Sequence, residues 1–362
     1  MRPARHRPRP PARSRRGAAL LTALLIVVLV TTLSAAMLWR QSRSIQIEAA
    51  DRGRAQADWV LQGALDWARL ILSEDAKAGR RSGGEQSDNL GEVWAVPLAE
   101  ARLSSFLAQD ENKSADDGPD AFLSGHIEDA QGLFNLNNLI PQTQQDPKQQ
   151  LTPQQQQLAN DLLKAGQRIF QRAGMSQSVV EQVQRNLIDS TRSKGSDQQG
   201  DVPLKPVRLE QLRWFGLNDE QIARLSKLAV LLPRTANSAP TPINLNTAPR
   251  EVIADVMGID VGPADNFVRL RQSKAFTNWN DSRITSIFPA RTDGGTDTRE
   301  ALGGFTSQYF FVEGQMRMDD RVLAQRSLLF REGTNMPRVI DRERLQRLST
   351  LAGTTNGYGA TP

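Results

Sequence analysis

Cysteine is absent from the 362 residues, which removes thiol nucleophiles, thiolate metal ligands and disulfides in one step. Histidine occurs only at His6 and His126, and His6 lies in an arginine-rich leader. One usable imidazole excludes paired-histidine zinc sites and leaves a nucleophile-histidine relay only around His126. No Ser, Asp or Glu stands at a recognisable motif spacing from it, no Gly-x-Ser-x-Gly elbow occurs, and the carboxylates show no paired signature. His126 therefore reads as a structural strand residue, no catalytic residue is assigned, and the chain reads as no enzyme.

A second chemistry is anion binding by backbone amides. Ile243 to Trp279, INLNTAPREVIADVMGIDVGPADNFVRLRQSKAFTNW, resembles a helix-hairpin-helix unit, which holds DNA phosphate on hairpin amides and a helix N-terminus. Here Gly258 and Gly262 are separated by Ile259, Asp260 and Val261, so the turn is too long and Asp260 puts negative charge where phosphate would sit. Arg269, Arg271 and Lys274 are three nearby cations, too few for strong counter-ion release. A membrane-anchored DNA-binding or DNA-uptake protein is the alternative function, and nucleic acid is not the expected partner.

The elements that would position any such chemistry begin with charge. Met1 to Gly17 carries seven Arg and no acid; beyond it basic and acidic residues nearly balance, although the whole chain is formally +5. Ala18 to Trp39 then runs twenty-two residues without a charge, long enough at 1.5 Å per residue to cross a hydrocarbon core of roughly 30 Å. The leader's arginines place the N-terminus in the cytoplasm and the body outside. By itself this segment reads as a signal anchor, as a secretory signal peptide cut near Ser34-Ala35-Ala36, or as a membrane helix retained after a cut before it. From Ser44 to Ala78 apolar residues at Ile45, Val60, Trp67 and Ile71, with Trp59, Leu70 and Leu72, continue one amphipathic helix up to Gly79.

Further on, Asp120 to Asn138 predicts two strands and a turn. Pro141 to Gln157 carries nine Gln and reads as a solvated linker. Helical periodicity covers Leu158–Ala173, Ser178–Asp189, Leu209–Phe215, Asp219–Leu231, Pro249–Met257 and Pro263–Gln272, with turns at Gly174, Gly216 and Gly258. Phe305 to Phe330 predicts a hairpin with Phe310, Val312, Met316 and Met318 on one side, a turn at Asp319-Asp320, and Val322, Ala324, Leu328 and Phe330 returning. Neither sheet block could stand alone in water, so the helices are expected as an insertion into one sheet.

A basic leader, Gly17 and an uninterrupted apolar helix resemble the type IV pilin and pseudopilin family. The resemblance implies cleavage by a prepilin peptidase after Gly17 and N-methylation of Ala18. Pilins carry Glu at the fifth mature position, whereas this chain has Thr22. A Glu in lipid needs a neighbour's ammonium, so a subunit that inserts first has no partner for one. With GHIEDAQGLFNLNNL, INLNTAP and SQYFFVEGQMRM in this order, the chain closely resembles the K-type minor pseudopilins of type II secretion, most specifically at Asn135 to Asn137 and Asn244 to Asn246.

That resemblance implies an α+β fold: a pilin-like long N-terminal helix packed on a small antiparallel sheet, with a large all-helical insertion. It divides the chain into leader 1–17, transmembrane helix 18–39, amphipathic spine 40–78, sheet domain 79–140, linker 141–157, helical insertion 158–286, the rest of the sheet domain 287–348 and a flexible tail 349–362. It implies a single-pass inner-membrane protein with a periplasmic head, capping the pseudopilus tip with minor pseudopilins I and J. The assembly platform, prepilin peptidase, secretin and exported proteins complete the expected partners. Calcium is associated with the family, and Asp293, Asp297 and Glu300 in RTDGGTDTREALGG offer hard oxygen ligands for it.

Overall fold

The computed structural model describes residues 16–81, 86–103, 121–141, 152–191, 203–234, 239–288, 297–318 and 321–345. In chain order the elements are α1 (Arg16–Arg81), β1 (Leu98–Arg102), β2 (Ala121–Asp129), β3 (Phe134–Asn135), α2 (Pro153–Arg172), α3 (Gln177–Asp189), α4 (Asp219–Leu225), β4 (Ala229–Val230), β5 (Ile243–Asn244), α5 (Arg250–Met257), α6 (Val261–Ser273), α7 (Ser282–Thr285), α8 (Arg299–Leu302), β6 (Gly303–Gly304), β7 (Tyr309–Met318), β8 (Arg321–Phe330) and β9 (Arg338–Leu345). The chain divides into two units, residues 1–60 and 61–362, and α1 contributes to both.

In the first unit the apolar side chains from Leu20 to Trp39 are all exposed on a helix long enough to cross a membrane. The hydroxyls within it bond back to their own helix: Thr31 Oγ1 to the carbonyl of Val27 at 2.9 Å and Thr32 Oγ1 to that of Val28 at 2.9 Å. Lipid offers no partner for a hydroxyl, so this local bonding is what makes Thr tolerable there. Beyond the apolar run, Glu48–Arg52 and Asp51–Arg54 pair along the exposed helix surface.

In the second unit α1 buries Leu61, Leu65, Ala68, Leu72 and Ala76, a helical stripe of spacing three and four. This differs from the expected apolar set, for Trp67 points outward while small Ala68 and Ala76 face in. Leu65, Ala68 and Leu72 pack with Trp94, Phe310, Val312 and Leu329, and Trp94 meets Phe310 edge-on at 5.4 Å between ring centres. The sheet is antiparallel and five-stranded, in the order β1-β2-β7-β8-β9. Its other face is also covered: Ala130, Val230, Leu232 and Leu328 form a core there, with Tyr309 and Phe311 against it. Val322, Ala324, Leu328 and Phe330 thus face away from Phe310 and Val312, because β8 pairs Leu329 with Phe310 and Leu328 with Phe311.

β2 and β7 pair in unbroken register from Ala121–Met318 to Asp129–Phe310, so everything between them is inserted into one hairpin. Inside the insertion the same plan occurs twice. An Asn-Leu-Asn segment opens each half, helices follow, and a closing two-residue strand returns in parallel to the opening one: β4 to β3, and β6 to β5. The helix pairs turn on Gly174, Gly216 and Gly258, each with positive φ (77°, 92° and 69°). The next residue then bonds back to the preceding helix: Met175 N to Phe170 O, Leu217 N to Leu212 O and Ile259 N to Ala254 O. This is the left-handed C-cap that favours glycine.

Three boundaries differ from expectation. α2 begins at Pro153, inside the Gln-rich stretch, because Thr152 and Gln155 form a capping box and Pro fits the first turn; residues 142–151 lie outside the described residues. α4 stops at Leu225, and Ala229-Val230 leave it to pair with β3. β9 adds a fifth strand over Arg338–Leu345. The expected turn at Asp319-Asp320 and the tail 349–362 lie outside the described residues.

Candidate functional site

Gly17 and Ala18 lie in the first turn of α1, and Thr22 follows one turn later with its hydroxyl donated to the carbonyl of Ala19 at 2.9 Å. Position 22 is thereby satisfied within its own helix and asks nothing of a neighbour, unlike a carboxylate in lipid.

In the head, the short 3-10 turn Val93–Ala95 is pinned by Trp94, which is buried and donates its indole N–H to Glu92 Oε2 at 2.5 Å. Anchoring Trp94 inward turns Val93 and Val96 outward, where they are 77% and 67% exposed, beside Trp67 of α1 at 63%. Between this segment, α1 and the sheet lies an apolar groove of about 290 Å³, lined by Leu65, Trp67, Trp94, Val96, Leu98 and Ile127 among others. Large apolar side chains gathered at one open groove mark an interaction surface more readily than the same residues scattered singly. The sequence signal for it is the run Val93 to Leu98, VWAVPL, which strand and helix patterns leave unclaimed. His126 borders the groove from β2, opposite Glu313 of β7.

A buried polar junction ties the second half of the insertion to the sheet. Asn244 Nδ2 approaches three acceptors: the Asp88 carbonyl at 3.0 Å, Asp129 Oδ2 at 2.8 Å and Ser307 Oγ at 2.9 Å. Asp129 also accepts from Ser307 Oγ and Thr247 Oγ1, each at 2.6 Å, and from Gln131 N at 2.8 Å. Burial nevertheless outweighs these donors and pushes its carboxyl up to about 6. Asp88 accepts from Ser307 N at 2.6 Å and from Arg331 Nη2 at 2.5 Å, and Arg331 Nη1 reaches Asp75 at 3.2 Å.

Among the described residues, Asp75, Asp88 and Glu92 bring carboxylate oxygens within 4.8 Å of one another. Arg331 supplies the positive charge in that cluster. Burial pushes Glu92 up to about 7 against the indole N–H that favours its charged form, with Asp75 raising it further.

Of the expected metal ligands, Asp293 lies outside the described residues. Asp297 is paired with Arg299 at 2.7 Å, and Glu300 is exposed on α8. A cation at Asp297 would have to displace that guanidinium. In the helix-hairpin-helix-like unit, Arg269 is paired with Asp265 at 2.6 Å. Arg271 is withdrawn from the surface, donating to the carbonyls of Leu245 at 2.5 Å and Ala248 at 2.7 Å. Burial without a carboxylate partner pulls its guanidinium down to about 10. The hairpin amide of Ile259 is spent on Ala254, and Asp260 opens α6. This unit is built for packing.

No family model matches the chain. It is 27% identical over 349 residues to type II secretion system protein K of Pseudomonas aeruginosa, covering 91% of this chain and 93% of that protein. It is 25% identical over 345 residues to the protein of the same name from Pectobacterium carotovorum subsp. carotovorum, covering 91% and 96%. Over nearly its whole length the chain is thus similar to type II secretion system protein K of both organisms. Its fold is similar to a chain of the GspK-GspI-GspJ complex from enterotoxigenic Escherichia coli, with a TM-score of 0.55 and 17% identity, covering 82% of this chain and 99% of that one. Its long N-terminal helix and small antiparallel sheet are consistent with a pilin-like fold, and its N-terminal apolar helix fits a membrane anchor.

Proposed function

We propose that this minor pseudopilin caps the tip of the type II secretion pseudopilus with minor pseudopilins I and J, starts fibre assembly and supports protein export across the outer membrane. The observation that carries the reading is Thr22. Its hydroxyl is satisfied by Ala19 of its own helix, so the apolar spine can enter a growing bundle without a subunit ahead of it. The Arg-rich leader keeps the N-terminus cytoplasmic, prepilin peptidase cuts after Gly17 and Ala18 is methylated, leaving 18–39 as the inner-membrane span.

In this reading residues 40–78 continue the spine, and the insertion, expected over 158–286 and running in the chain over 130–308 between β2 and β7, enlarges the periplasmic head toward secretin and exported proteins. The relative of known structure was solved with I- and J-type partners, and the groove beside Trp67 has the apolar chemistry to receive one of their helices. The inner-membrane assembly platform takes the spine. Calcium held at Asp293, Asp297 and Glu300 would make proteolysis and melting sensitive to a chelator, and a chelator that changes neither rules it out.

The test is co-purification of the full chain with I- and J-type pseudopilins from membranes, with mass spectrometry of its mature N-terminus. A stable complex and a chain beginning at Ala18 are expected. A chain that binds neither partner overturns the tip role, and a mature start elsewhere overturns the processing.

A further inference from the structure

We draw no further inference here: the strongest candidate, the apolar groove between the head portion of α1 and residues 93–98, belongs to the partner surface already described, and nothing in the structure shows what covers it.

Discussion

The two Asn-Leu-Asn segments perform the same local task in different electrostatic company. In each, the first Asn accepts from the amide two residues on, Asn137 N to Asn135 at 3.1 Å and Asn246 N to Asn244 at 2.9 Å, so each begins with the same side-chain turn. Asn135 then meets only neutral groups, the backbone of Leu232 and the hydroxyl of Thr241. Asn244 instead enters the network of Asp129, Asp88, Ser307 and Arg331. One junction holds the insertion together internally; the other ties it to the sheet through charge. The same tripeptide can therefore carry very different energetic weight, and its pH response belongs to one copy.

Arg331→Met should give the largest effect, about 3–5 kcal/mol lost in urea unfolding of the detergent-solubilised protein, because it leaves Asp88 fully buried without its cation. Asn244→Ala comes next, at about 2–3 kcal/mol, since it strips donors from buried oxygens that include a carboxylate. Asn135→Ala should cost only about 1–2 kcal/mol by the same measurement, its partners being neutral. If Asn135→Ala costs as much as Asn244→Ala, the contrast between the copies fails.

The pH dependence sharpens the same contrast. Glu92 at about 7 and Asp129 at about 6 hold protons in the folded state that the unfolded chain releases near pH 4. Between those limits the folded state binds more protons, so stability declines as pH rises from about 4 to 7. Thermal melts across that range should show the decline, with Glu92→Gln flattening its upper part and Asp129→Asn its lower part. Stability rising with pH there, and rising equally in both variants, would refute the assignment. Smallest in stability is Trp67→Ala, within about 0.5 kcal/mol because the side chain is exposed. That variant should nonetheless lose co-purifying partner pseudopilin, separating the groove from both junctions.

The long helix, the closing hairpin and the helix pairs were legible because their periods are long and their stops are glycines. The edge strands were not. β1 reads Leu-Ala-Glu-Ala-Arg with no β-branched residue, and β9 carries five charged residues in Arg-Val-Ile-Asp-Arg-Glu-Arg-Leu, so partners across the sheet define them. On α1 the expected apolar set includes Trp67, yet Trp67 is outside and Ala68 inside, since depth there is set by how closely helix and sheet approach. At the junction, Asp88, Asp129, Asn244, Ser307 and Arg331 are scattered over the chain, and no spacing announces that they meet. The proposed cleavage residues Gly17 and Ala18 are the reverse case, read from a leader and an apolar run alone.

The insertion between β2 and β7 also fixes an order of events. Asp129 and Phe310 face each other across the ladder but are roughly 180 residues apart along the chain, so closing that hairpin from an open coil carries a large loop penalty. Helices that have already condensed bring the two ends close and shorten the effective loop. As the polypeptide emerges N-terminus first, β2 can pair with β1 but must wait for β7 until the last third has arrived, so the sheet of this head should be completed late.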